Sequence, residues 1–134
     1  MANSILTDRA VEIAKLALDG LARRQEVISN NVANIDTPGY RAQNVAFEGA
    51  LQQAMDRDHP ARLRATHPGH LGAPTSVASL QETPRIGGST RADGNNVDID
   101  VELVSMSETG IRYQAVSRFV SKKLLLLKAI ASGR

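Results

Sequence analysis

Apolar residues alternate at three- and four-residue spacing in two stretches, one at each end of the chain, and this constrains the fold more than any other feature. In residues 4–35 the spacing runs through Val11, Ala14, Leu18, Leu21, Ile28, Val32 and Ile35, with Gln25 filling the one polar place. In residues 97–132 it runs through Leu103, Met106, Tyr113, Val120, Leu124 and Leu127, with Gly110 and Ser117 keeping the register. Such spacing gathers side chains on one strip of an α-helix, the strip by which it lies along another helix. A helix of about 30 residues is roughly 45 Å long. The chain is therefore expected to be mainly α. Its long N-terminal and C-terminal helices should pair as a coiled-coil-like hairpin.

The boundaries are also legible. Thr37 precedes Pro38 and is disfavoured in the helical region, and Pro38-Gly39 reads as a turn. Asp98, Asp100 and Glu102 stand at the start of the second helix, and Lys122, Lys123 and Lys128 towards its end, which complements the helix dipole. Val116, Phe119, Leu126 and Ile130 widen its apolar face. Gly110 on the seam predicts either close approach by another backbone or a local kink. Residues 36–51 form the turn and a short following segment. Residues 52–96 carry Pro60, Pro68, Pro74 and Pro84 with five glycines, among them Gly87, Gly88 and Gly94. That middle is expected to be an irregular, flexible loop, or a small β-hairpin built from residues 77–80 and the neighbourhood of Ile86. The 134 residues make one domain.

Two Phe, two Tyr and no Trp leave little aromatic bulk for a thick core. Aliphatic helix-on-helix packing suits this composition, with neighbours supplying part of the stability. The absence of cysteine excludes a disulfide framework, a thiolate zinc site and a thiol nucleophile. A net charge of +2 without a Lys/Arg cluster argues against nucleic acid. No run approaches the roughly 20 apolar residues of a membrane span. Asp8, Arg9, Glu12, Lys15 and Asp19 interrupt any signal-peptide core, so export would proceed without an ordinary cleaved signal.

Chemistry-bearing patterns are poor. His67 and His70, with His59 nearby, sit in a Pro-Gly stretch without acidic neighbours or cysteine, an unsuitable metal set. The Gly87-Gly88-Ser89-Thr90 run lacks the lysine of a phosphate loop. Asp98 and Asp100 read as helix-start carboxylates. No catalytic residue, cofactor or metal is expected.

The most informative segment is residues 28–41, ISNNVANIDTPGYR. Asn30, Asn31 and Asn34 are odd choices for the last turns of a helix, because asparagine competes for nearby backbone. Either their amides find defined partners, or this is an ordinary helix end with a polar turn. Pro38 and Gly39 should aim Tyr40 away from the first helix, towards a neighbouring molecule.

This segment resembles the N-terminal signature shared by the flagellar rod and hook proteins. Ser29, Asn30, Asn31, Ala33, Asn34, Thr37, Pro38, Gly39 and Tyr40 match it, and Val32 stands where isoleucine is commoner. Residues 93–102 resemble the segment that opens the C-terminal helix in the proximal-rod branch of that family. Residues 111–114 and 121–124 resemble the body of that helix. Tyr113 is followed by Gln114, Ala115 and Val116, so the Arg-x-Tyr-Glu-x-Asn element usual in FlgC and FlgG relatives is missing.

The resemblance implies a structural component of the proximal rod of the bacterial flagellar basal body, with both helices lining the inner tube and the turn contacting neighbours. Its termini would be ordered only on assembly. It implies partnership with copies of itself, with FlgC, FlgF and FlgG, with the FliE adaptor, and with the flagellar type III export apparatus. Alternatives are another small rod protein of the FlgC type, or a non-flagellar helical adaptor or chaperone. Phe47 and Leu51 also resemble the Phe-x-x-x-hydrophobic export element of early rod and hook substrates. In plain chemistry they are an i, i+4 pair packing under a short helix.

Overall fold

The computed structural model describes residues 2–56 and 81–132. Its elements are α1 (Ala2–Ala33), β1 (Gln43–Val45), α2 (Glu48–Asp56), β2 (Glu82–Pro84) and α3 (Ile99–Ala131). The two long helices pack antiparallel. Asn31 near the end of α1 bonds Glu102 near the start of α3, and Leu21 shares a groove with Tyr113 further along. The chain is thus a mainly helical hairpin, with a small two-stranded sheet packed beside α1.

On α1 the fully buried apolar residues are Ala14, Ala17, Leu21, Val27 and Ile28. Two alanines among them let neighbouring elements come close, and each larger side chain contributes about 1.5–3 kcal/mol of burial. Val11, Leu18, Val32 and Ile35 are half-buried. The Asp98 carboxylate opens α3 by accepting from the Asp100 and Val101 N–H groups at 3.0 and 3.4 Å. It thereby satisfies donors that a helix start otherwise leaves bare.

The rotation of α3 about its own axis differs from the apolar spacing. Glu102 and Thr109 are its fully buried residues, while Met106, Val116, Val120 and Leu127 are half-buried. Leu103, Tyr113 and Leu124 lie outside this stripe, each about half exposed. The cause is polar. Glu102 is drawn inward by partners on α1 and beside β2, and a seven-residue step then places Thr109 on the same inner line. Apolar residues surround α3 on several sides, so periodicity alone could not set the angle. Gly110 is half-buried, and a Cβ built there would meet nothing within 4 Å, so no close approach within the chain requires it.

The sheet pairs Gln43 with Pro84, Asn44 with Thr83 and Val45 with Glu82, antiparallel. The Arg85 N–H continues it by donating to the Ala42 carbonyl at 2.7 Å. The strands thus come from the segment after the turn and from residues 82–84. Ile86 follows β2 and is fully exposed. Residues 77–80, like His59, His67 and His70, lie outside the described residues. Pro84 lacks an N–H and is tolerated because a two-stranded sheet consists of edges.

Candidate functional site

The last turns of α1 carry a side chain that behaves as a strand neighbour. Asn31 is fully buried. Its Nδ2 donates to the Gln43 carbonyl at 2.8 Å, and its Oδ1 accepts from the Gln43 N–H at 2.9 Å. Oδ1 also accepts from the Tyr40 hydroxyl at 3.2 Å. Nδ2 further reaches both oxygens of Glu102 at 3.3 Å. Glu102 is itself without exposure, and its charge is met by the Arg85 guanidinium at 2.5 Å. A buried carboxylate is tolerable when it is both paired and hydrogen-bonded, and here one partner supplies each. Burial, then the negative charges of Glu102 and Glu82, push the Tyr40 phenol above its ordinary range.

A second asparagine pair closes the other side. Asn95 is fully buried, and its Nδ2 faces the carbonyls of Asn34, Ile35 and Thr37 at 3.0, 3.1 and 2.9 Å. Two hydrogens serve three acceptors, so one bond is shared. These carbonyls follow the end of α1, where backbone acceptors run out of helical donors. Asn95 Oδ1 accepts from the Val97 N–H, and Asn96 Oδ1 from the Ala42 N–H, at 2.8 and 2.7 Å. Gly39 has φ +73° and donates its N–H to the Asp93 carbonyl at 2.9 Å. Gly94 has φ +85°, and a Cβ there would lie 3.5 Å from the Gly39 Cα. Both turns thus rest on left-handed backbone angles that favour glycine.

Phe47 builds a third contact. Its ring is buried against Gly20 of α1, where a Cβ would come within 2.5 Å of it. The Arg24 guanidinium lies 4.6 Å above the ring centroid, bonds the Val45 carbonyl at 2.7 Å, and pairs with Glu48 at 2.6 Å. Burial pushes the Glu48 carboxyl up, but its bonds to Arg24 and to backbone N–H groups outweigh that and hold it below the usual range. Leu51 is half-buried one turn further along α2.

Of the residues singled out in the sequence, Asn31, Asn34, Thr37, Gly39 and Tyr40 are brought together here. Asn34 closes the helix end itself, donating to the Asn30 carbonyl at 2.8 Å and accepting from the Thr37 hydroxyl at 3.1 Å. Asn30 and Pro38 are exposed. Tyr40 does not point away from α1. It folds back onto Asn31, because the buried amide oxygen offers its hydroxyl an acceptor. Arg85, Asn95, Asn96 and Glu102 complete the cluster; the sequence placed Glu102 only as a helix-start carboxylate and Asn95 and Asn96 only in the segment leading into α3. No local signal marks Arg85, Asn95 and Asn96, which lie in loop segments where such residues are ordinary.

Among the described residues every buried side-chain nitrogen and oxygen has a partner, and no group of His, Asp and Glu is placed to hold a metal ion. The cluster closes the chain on itself and leaves two long helices projecting from it. Such a geometry defines a helical structural subunit. The sequence model of the family described as "Flagella basal body rod protein" matches residues 12–41, the stretch that forms most of α1 and the turn. The flagellar basal body rod protein FlgB of Bacillus subtilis is 33% identical over 112 residues, covering 82% of this chain and 83% of that protein. FlgB of Escherichia coli K12 is 35% identical over 112 residues, covering 80% and 81%. FlgB of Aeromonas hydrophila is 31% identical over 128 residues, covering 95% and 96%. The chain belongs to the FlgB family of flagellar basal body rod proteins, and is a structural component of the rod.

Proposed function

We propose that the chain works without catalysis, as a proximal subunit of the rod, through contacts made by the outer faces of its two long helices. The observation that carries this reading is the division of labour between buried and exposed groups. The asparagine cluster uses its polar atoms to hold one chain closed. The α3 face bearing Leu103, Tyr113 and Leu124 meanwhile stays about half exposed. Exposed apolar surface on this scale marks a place where another molecule packs. On this reading Leu103, Tyr113 and Leu124 make the contacts between molecules, while Ala14, Leu21 and Ile28 of the same seam are spent within the chain. Met106, Val120, Leu127, Val11, Leu18, Val32 and Ile35 are only partly open to a neighbour. Partners on this reading are further copies of the chain, the rod proteins FlgC, FlgF and FlgG, and the FliE adaptor. Nucleic acid is not among them. No helix among the described residues is long and apolar enough to cross a membrane.

The location that follows is the periplasm-crossing rod, reached through the flagellar type III export apparatus without a cleaved signal. Phe47 and Leu51 serve as the export element. In the folded chain the Phe47 ring is buried against Gly20, so export machinery meets it before α1 and α2 close. The deciding experiment replaces Leu103 and Leu124 together by aspartate in cells lacking the native chain. Export should continue while basal bodies fail to form. Normal basal bodies containing the double variant would overturn the reading.

A further inference from the structure

A cavity of about 210 Å³ opens between α1, β1 and α3, beside the end of β2. Its walls bring together Arg24 from α1, Arg85 from just after β2 and Arg112 from α3, with Asn44, Ser105 and Glu108. Each guanidinium already meets one carboxylate: Arg24 meets Glu48, Arg85 meets Glu102 and Arg112 meets Glu108. Of these three acids Glu108 alone lines the cavity. Its contact is also the longest of the three, 3.4 Å between side chains more than half exposed. An arginine offers five N–H donors. Among the described residues Nη1 of Arg24, Arg85 and Arg112 bonds nothing, nor does Nε of Arg85 or Arg112. The Asn44 amide spends its oxygen on the Val45 N–H at 2.8 Å, and its NH2 group is left over. Donors thus outnumber acceptors around this space.

We propose that this cavity binds one carboxylate, which takes Arg112 from Glu108 as it enters. Arg24 is fixed by the Val45 carbonyl and Glu48, and Arg85 by Glu102, so two of the three guanidinium groups are in place beforehand. Only the exposed Arg112–Glu108 contact has to open, and a pair of that kind holds little energy. Charge decides the class of ligand. Three arginines stand against Glu48, Glu102 and Glu108, an even balance. A monoanion that turns Glu108 out to solvent preserves that balance, whereas a phosphate dianion exceeds it. A planar carboxylate also matches the guanidinium fork, which can bond two oxygens in parallel. Two sources share this chemistry, a free carboxylate ion and a Glu or Asp side chain of another protein. Leu103, Tyr113 and Leu124 do not line the cavity, so the site stands independently of the contacts assigned to them.

The test follows the arginine Nε–H signals of the full-length, nitrogen-15-labelled chain by nuclear magnetic resonance at neutral pH. Sodium acetate replaces sodium chloride at constant ionic strength, so that screening stays fixed. The Arg85 and Arg112 signals should move along a curve that saturates. Arg112→Gln should weaken acetate binding about tenfold, the loss of one charged hydrogen-bond partner. Its melting temperature should be unchanged, because the lost pair is exposed. Glu108→Gln should tighten binding about threefold, since it removes the competing carboxylate. A purely structural Arg112–Glu108 pair predicts that neither substitution alters the acetate response, and that result overturns the proposal. Shifts that rise without saturating overturn it as well. Sodium phosphate saturating at a lower concentration than acetate overturns the choice of a carboxylate. A Gly-Glu-Gly peptide blocked at both ends separates the two sources. Tighter binding of the peptide than of acetate assigns the carboxylate to a protein side chain, binding of acetate alone assigns it to a free ion, and both outcomes uphold the site.

Discussion

The Asn31 amide donates to both carboxylate oxygens of Glu102 at 3.3 Å, joining the end of α1 to the start of α3 across 71 residues of chain. Neither residue has any exposure. Removing Asn31 by Asn31→Ala strips partners from the Gln43 backbone, the Tyr40 hydroxyl and Glu102 together. Arg85→Ala instead leaves the Glu102 carboxylate without its counter-ion. We expect each variant to lose about 3–5 kcal/mol, the usual consequence of an uncompensated buried polar or charged group. Urea unfolding followed by circular dichroism measures the loss. Unchanged midpoints would show that the cluster contributes little to stability.

Gly20 and Phe47 set a packing limit. Gly20→Ala improves helix propensity by about 1 kcal/mol, but puts a methyl within contact distance of a buried ring, which costs about 1–3 kcal/mol. The net effect should be destabilising, and Phe47→Leu in the same chain should recover part of it. Phe47→Ala alone removes the ring and should cost about 3–5 kcal/mol. Its secreted fraction, measured beside a melting curve, separates packing from export. Full secretion of Phe47→Ala through an intact export apparatus would end the export role.

Tyr40 carries a pH dependence. Its phenol is pushed above the ordinary value of 10.0 by burial and by neighbouring carboxylates. A raised acid favours its neutral form in the fold, so its contribution is complete below pH 10 and is lost as pH rises through the folded value. In Tyr113→Phe, Tyr40 is the one remaining tyrosine, and ultraviolet absorbance should show it titrating later in the folded chain than in denaturant. Coincident curves would contradict the buried bond to Asn31.

Glu48 shows the opposite sign. Its folded value is depressed below 4.5, so its contribution stands above the ordinary carboxylate range and is lost as pH falls through the folded value. Arg24→Gln should remove this acid sensitivity. Acid titration of α2 docking, read by amide exchange at Ala50 and Leu51, tests the difference.

The turn gives a cellular prediction. Gly39 sits at φ +73°, closed to a β-branched residue without strain, and Asn34→Leu deletes the amide that seals α1. Gly39→Val and Asn34→Leu should each abolish motility and lower basal-body yield at normal levels of export. Normal rods from both would reduce the turn to an ordinary helix end.

Much of this was legible in the linear chain, and what was not has a physical reason. Helix positions follow from apolar spacing and from Pro38, because both act locally. The rotation of α3 does not, since Glu102 sets it through partners at positions 31 and 85. The small sheet was expected nearer Ile86, yet β1 precedes α2, and pairing between distant segments leaves no local pattern. Asn31 and Asn34 announced themselves by being poor helix formers in a helix. Asn95 and Asn96 sit in a loop where asparagine is ordinary, and nothing local marks them as buried.

The separation of Asn31 from Glu102 also sets a timetable. A chain emerging N-terminus first presents the buried face of α1 well before residue 102 arrives to neutralise Arg85 and receive the Asn31 amide. Until then the hairpin has no clasp, and loop closure must precede any reward from the contact. The clasp between α1 and α3 can therefore form only after residue 102 has been made.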